Sequence, residues 1–326
     1  MDINNDGYVD LLSGSWPGEI FFFKGGPDHS FAAPEMIKYK DGKIINIGGG
    51  IRERGFNGGM SIAGSAKFET TPEGTFVNYQ GKRYESTPDR PIGITGTASA
   101  VHVADWDGDG DYDLIIGYIN GGVYLVPNEG TPQSFAFGQE RQLASVRSRA
   151  GPFTADWDGD GDLDLLVGAD DGSVSLYRNT GDAKSPELAP AVRLVPPGER
   201  TSGRNAPKEV RRGTRSKICV ADWNGDGLLD LLVGDVAAQR PDLPEPTPEE
   251  KAEHDRLREE LQKVVKNYRE LIDKLYGPSR LRDKGKIEQV QKEMEPIQKR
   301  MIELRSELPP EYERHGWVWL FLRKKI

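Results

Sequence analysis

The chain has 326 residues, 29% of them charged, with a formal net charge of −9 and a mean hydropathy of −0.61. That acidic balance argues against nucleic acid as a partner, because binding a phosphate backbone calls for a basic surface. No run is long and apolar enough to insert into a membrane as a span, and no signal peptide is visible.

Two compositional features bear on the fold. Glycine is abundant, at 39 residues, as in an all-β protein with many turns. The single cysteine, Cys219, allows no internal disulfide and leaves the redox compartment open. Its setting, Lys217 to Val220, reads as a buried strand with the thiol in the core.

In chain order, the first feature follows Met1 at once. Asp2–Gly14 reads D-I-N-N-D-G-Y-V-D-L-L-S-G. The pattern returns as D-W-D-G-D-G-D-Y-D-L-I-I-G over Asp105–Gly117, D-W-D-G-D-G-D-L-D-L-L-V-G over Asp156–Gly168 and D-W-N-G-D-G-L-L-D-L-L-V-G over Asp222–Gly234. Its flanks repeat as well. Short apolar segments (Val101–Ala104, Phe153–Ala155, Ile218–Ala221) precede the last three copies. An apolar strand and a turn follow each copy, then a second strand: Gly18–Lys24, Gly122–Pro127, Gly172–Arg178 and, displaced far downstream, Gly316–Arg323. After Gly25, Asn128 and Asn179 a turn leads into an outer strand. Such a unit is a four-stranded antiparallel blade, and blades repeated about an axis make a β-propeller.

The long interval between the first two copies holds Lys43–Ala100, with predicted strands at Thr75–Gln80 and Lys82–Ser86. It has room for one further blade, giving about five. The first unit lacks its opening strand and the last ends at its third strand, so a fragment, a mis-called start or a missing upstream segment is expected.

The four loops carry the chemistry. Side chains at positions 1, 3, 5 and 9 point to one centre, position 7 offers a backbone carbonyl, and glycine at position 6 permits the sharp turn. The predicted ligands are Asp2, Asn4, Asp6, Asp10 and the Tyr8 carbonyl; Asp105, Asp107, Asp109, Asp113 and the Asp111 carbonyl; Asp156, Asp158, Asp160, Asp164 and the Asp162 carbonyl; and Asp222, Asn224, Asp226, Asp230 and the Leu228 carbonyl. All are oxygen donors, the set a calcium ion takes. An EF-hand is excluded: position 12 holds Ser13, Ile116, Val167 or Val233 instead of glutamate, and the flanks are strands. Zinc is disfavoured by the absence of a cysteine or histidine cluster, and magnesium prefers more water. About four calcium sites are expected.

The fourth unit is interrupted. A proline-rich stalk, Arg240 to Pro248, leads into a capping box at Thr247-Pro248-Glu249-Glu250. Apolar residues follow at Leu257, Leu261, Val264, Tyr268, Leu271 and Leu275, up to a stop at Gly277-Pro278. A second stripe runs through Ile287, Val290, Met294, Ile297, Met301, Leu304 and Leu308, with a kink expected at Pro296. Two heptad stripes joined by a polar turn predict an antiparallel α-helical coiled-coil hairpin. The predicted organisation is therefore 1–239 for the blades, 240–312 for the inserted hairpin and 313–326 for the returning strand.

The loop motif with its following D-[LI]-[LI]-x-G resembles the FG-GAP/VCBS repeats of integrin α-subunit propellers and many bacterial exported proteins. The resemblance implies a calcium-binding propeller in an extracellular, periplasmic or cell-surface setting. It also implies adhesion or scaffolding for a protein or glycan ligand, with polysaccharide lyase or lectin activity as the alternative. The hairpin offers a surface for docking or self-association, and its charged faces argue against membrane insertion. No catalytic set is evident. His29, His102, His254 and His315 are scattered, and the best basic candidates for a lyase are Arg52, Arg54, Lys82 and Arg83. Trp106, Trp157 and Trp223 recur at loop position 2 and are expected to pack between blades, whereas Trp16 is the candidate exposed aromatic.

Overall fold

The structure is a computed structural model of the chain. It describes all residues except 48–49, 54–60, 63–65, 72–73, 80–81, 88–91, 96–97, 204, 277–280, 282 and 325–326. The chain divides into two compact units. One comprises Met1–Thr201, Val210–Ala237 and Arg314–Ile326; the other comprises Ser202–Glu209 and Ala238–Glu313.

The first unit is antiparallel β-sheet. Strands β1 (Leu11–Gly14), β2 (Ile20–Phe23) and β3 (Glu35–Met36) form the first sheet. The following stretch contains β4 (Gly50–Glu53), β5 (Ser61–Ile62), β6 (Ala66–Thr71), β7 (Gly74–Tyr79), β8 (Lys82–Ser86) and β9 (Ile92–Thr95). These make two three-stranded sheets, β5-β4-β9 and β6-β7-β8. The expected single four-stranded blade is thereby corrected: β6, β7 and β8 meander as a hairpin pair of their own, and β4 pairs β9 across them.

The next two sheets are four-stranded and follow chain order. One is β10 (Ala100–Ala104), β11 (Asp113–Gly117), β12 (Gly122–Val126) and β13 (Arg141–Ser145); the other is β14 (Gly151–Ala155), β15 (Asp164–Gly168), β16 (Val174–Tyr177) and β17 (Val192–Val195). The last is built on β18 (Thr214–Ala221) and the long β19 (Asp230–Gln239). After α1 (Pro248–Tyr276) and α2 (Lys284–Glu307), β20 (Glu313–His315) and β21 (Val318–Phe321) both pair with β19.

The motif strands β11 and β15 are buried on both faces, which explains why they read as unbroken apolar runs and not as alternating ones. In β11, Leu114 and Ile116 face a core shared with Ile20 and Ile37 of the first sheet's region, while Ile115 faces one shared with Leu165 and Val167. In β15, Leu166 turns the other way, onto Leu231 and Val233. Successive loop-bearing sheets therefore stack face to face, with one apolar core in each gap.

The glycine that closes the motif makes this stacking possible. A Cβ on Gly14, Gly117 or Gly168 would lie 2.1 Å from Ser99 O, 2.4 Å from Ala150 O or 2.5 Å from Ser216 O, each just before or within the first strand of the next loop-bearing sheet. Gly234, in the last copy, meets only ordinary contacts, the nearest at 3.6 Å.

Two expectations are corrected here. Cys219 is exposed. Strand β18 alternates, and Ile218 and Val220 take its core-facing side, which leaves the thiol on the other. Trp106 is buried at 2% exposure and Trp157 packs partly against the third core, but Trp223 is 62% exposed. Among the described residues, no further sheet covers the last copy as the next sheet covers the earlier two.

In the second unit, Thr247 and Glu250 exchange hydrogen bonds as a capping box, the Thr247 N–H donating to Glu250 Oε2 (2.8 Å) and the Glu250 N–H to Thr247 Oγ1 (3.2 Å). Asp283 caps α2 by accepting the Lys286 N–H at 2.9 Å. Leu271 and Leu275 pack on Val290 and Met294, and Arg300 reaches Glu260 at 2.8 Å across the pair. The expected stop at Gly277-Pro278 lies outside the described residues. Helix α2 runs on through Pro296. Among the described residues, no helix is long and apolar enough to cross a membrane.

Candidate metal loops

Each loop is held by the same set of hydrogen bonds. The position-1 carboxylate accepts the N–H groups of positions 5 and 6. In the first loop Asp2 accepts from Asp6 (3.1 Å) and Gly7 (2.8 Å), and in the second Asp105 accepts from Asp109 (3.0 Å) and Gly110 (3.1 Å). Asp156 does the same for Asp160 and Gly161, and Asp222 for Asp226 and Gly227. The position-5 carboxylate then accepts the N–H of position 7: Asp6 from Tyr8, Asp109 from Asp111, Asp160 from Asp162 and Asp226 from Leu228. Short acidic side chains favour such local turns. The backbone passes through the left-handed region at position 6, with φ of 91°, 96°, 100° and 83° in the four copies. That conformation explains the invariance of the glycine there.

The position-9 carboxylate is a clamp. Asp10, Asp113, Asp164 and Asp230 are at most 5% exposed, and each accepts two backbone N–H groups. One comes from loop position 2: Ile3, Trp106, Trp157 or Trp223. The other comes from the end of the second strand: Gly25, Asn128, Asn179 or Arg323. Sequence reasoning treats these residues only as ligands. The structure shows that they also tie loop, strand and neighbouring strand together.

Positions 1, 3 and 5 converge. Asp105, Asp107 and Asp109 each bring an oxygen within 4.8 Å of the others, as do Asp156, Asp158 and Asp160. The first and fourth loops place Asn4 and Asn224 at position 3, where each amide oxygen accepts the position-5 N–H at 3.0 Å. The position-9 carboxylates lie outside the two triads.

The second loop is the most demanding electrostatically. Burial pushes the Asp107 carboxyl up, and Asp109 and Asp105 add to the rise. Asp111 is raised by burial and by Asp109, Asp107 and Asp105. Burial also lifts Asp113 to about 7, against the pull of its two backbone donors. Asp111 is 4% exposed, and its Oδ1, like that of Asp107, is buried without a hydrogen-bond partner. Unpartnered buried oxygens amid like charges cost free energy, and a cation supplies what they lack. The residues therefore fit a hard divalent ion with oxygen ligands. When bound, such an ion would hold these carboxyls ionised. The side chain of Asp111 is a feature that the position-7 carbonyl assignment overlooks.

The basic candidates for catalysis are dispersed in the chain. Arg52 lies on β4, Lys82 and Arg83 lie on β8, and Arg54 lies outside the described residues. The Arg83 guanidinium sits over the Phe76 ring at 3.6 Å.

Residues 105–167 and 156–233 match a family model described as FG-GAP-like repeat. The chain thus carries FG-GAP-like repeats from its second loop to its fourth. No curated protein matches it. Among solved structures it is similar to the Tc holotoxin pore of Photorhabdus luminescens, with 19% identity over 72% of this chain and a TM-score of 0.30. The match spans 10% of that chain. It is also similar to a protein of unknown function from Bacteroides caccae, with 14% identity, 70% of this chain and 71% of that one covered, and a TM-score of 0.25.

Proposed function

We propose that the chain is an exported, non-catalytic interaction scaffold of propeller type, stabilised by calcium in its repeat loops, with the helical pair as an arm for docking or self-association. The observation that carries the calcium reading is the second loop, where three convergent carboxylates and the buried Asp111 leave two oxygens unpartnered. The repetition of one hydrogen-bonded frame in four places supports a structural role for the ion. Stacked sheets with successive cores provide a rigid platform, and the FG-GAP-like match supports placement outside the cytoplasm.

The test is thermal unfolding in excess calcium and then in chelator, with metal analysis of the purified protein. Calcium at a hundredfold excess over Kd adds about 2.7 kcal/mol per site, a rise of roughly 4 °C per site for a chain of this size. Asp109→Ala and Asp160→Ala should each lose part of that rise and change the chelated melting temperature little. No shift and no bound calcium would end the reading.

Two observations favour a second reading, a glycan-binding module. Trp16 is 58% exposed on a turn. A cleft of about 420 Å³ is lined by Arg147, Arg200, Asp170 and Asp171. Arrayed acidic and neutral glycans should then retain the protein, with retention lost in Trp16→Ala; an empty array would leave the protein-scaffold reading alone.

A further inference from the structure

The clamp carboxylates align the four repeats residue by residue. Their second N–H donors are Gly25, Asn128, Asn179 and Arg323, so the residues just before them, Lys24, Pro127, Arg178 and Leu322, occupy one structural position. At that position two repeats carry a cation that turns back onto the loop. Lys24 Nζ lies 3.0 Å from Asp6 Oδ2, and Arg178 Nη1 lies 3.4 Å from Asp158 Oδ2. Each contacts a residue at a predicted ligand position, 5 in the first loop and 3 in the third. The second repeat has Pro127 there, and it is this loop that adds the buried, unpartnered Asp111. The fourth has Leu322, which is 49% exposed.

We infer that Lys24 and Arg178 are tethered competitors for the metal positions of the first and third loops, so that the four loops fill in a graded order, the second first and the first last. The inference rests on the calcium reading above. Its physics is charge counting, which sets cation affinity in loops of this kind. The second loop brings three carboxylates together (Asp105, Asp107, Asp109), with the buried Asp111 beside them, and among the described residues no cation pairs with them. The first presents two (Asp2, Asp6), one of them already paired with Lys24. A divalent ion entering the first or third loop must displace an ammonium or guanidinium, or share the site with it at close range. The fold thereby makes one firm site and two that respond to higher cation concentration.

The experiment is calorimetric titration of calcium into the chelator-stripped full-length chain and its variants, with circular dichroism confirming the fold of each. Asp109→Asn should remove the tightest binding class. Arg178→Met and Lys24→Met should each tighten one weaker class about tenfold, the size expected for removing a screened unit charge about 4 Å from a divalent ion. Pro127→Arg should weaken the tightest class by a similar factor. Calcium binding that leaves every constant unchanged in Lys24→Met and Arg178→Met would overturn the graded order while leaving the calcium reading intact. Absence of any calcium binding by the unmutated chain would overturn both.

Discussion

Asp230→Ala is expected to cost about 2–4 kcal/mol of stability, in calcium and in chelator alike. Asp230 is fully buried at 0% exposure. Its Oδ2 accepts the Trp223 N–H at 3.1 Å and its Oδ1 accepts the Arg323 N–H at 2.8 Å. The second bond joins residues 93 apart in sequence, and it fixes the end of β21 against the start of β19. Alanine leaves two part-buried N–H donors without an acceptor, at about 1–2 kcal/mol each. Asp230→Asn keeps one acceptor oxygen but sets an amide N–H against the other donor, so it should lose about half as much. The control is Asp226→Ala. That side chain bridges only within its own exposed loop, accepting from Leu228 at 2.9 Å. Its loss should register in calcium and nearly vanish in chelator. Denaturant midpoints in the two buffers separate the cases. A calcium-dependent Asp230→Ala effect would mean that position 9 acts through the ion and not through the clamp.

The contrast between positions 5 and 9 shows what the sequence discloses and what it withholds. The loops, their flanking strands and the helix stripes are legible because each is written in local periodicity: acidic residues at alternate positions, apolar runs of five, apolar spacings of three and four. The second strands predicted at Gly122–Pro127 and Gly172–Arg178 are found as β12 and β16, within one or two residues at either end. What depends on a neighbouring sheet is not legible. Cys219 and Ile218 adjoin in sequence but face opposite sides, and only the position of the third core tells which side is buried. Trp106 and Trp223 stand at the same loop position, one buried and the other exposed, because one has a following sheet and the other has none among the described residues. Lys24 and Arg178 look like ordinary surface residues until the clamp bonds align them with the loops. The strands of 43–100 follow no loop motif, so nothing in their spacing foretells two sheets in place of one.

A neighbouring sheet also governs a large expected pH effect. His102 lies on β10, and its ring stands between that strand and β14 of the next sheet. It packs against Phe153 at 4.6 Å between ring centres. Its Nε2 accepts the Thr154 backbone N–H at 3.2 Å and meets the Thr154 hydroxyl at 2.9 Å. That nitrogen is therefore bare, and the ring is neutral with its proton on Nδ1. Protonating Nε2 would set two donors face to face in a site shielded from water, and burial lowers the pKa from 6.5 to about 4. The unfolded chain binds this proton below about 6.5 and the folded chain only near 4. Stability from the neutral ring is therefore complete above pH 6.5, falls as the pH drops, and is gone below about 4. The span corresponds to about 3 kcal/mol. Carboxylates titrate over part of the same range, so the expected result is a difference: between pH 7 and pH 4 the unmutated chain should lose about 3 kcal/mol more than His102→Gln. Denaturant unfolding in chelator across that range measures it. Parallel pH profiles for the two proteins would mean that His102 gains a proton in the folded state without penalty, and that the seam between the second and third loop-bearing sheets admits water.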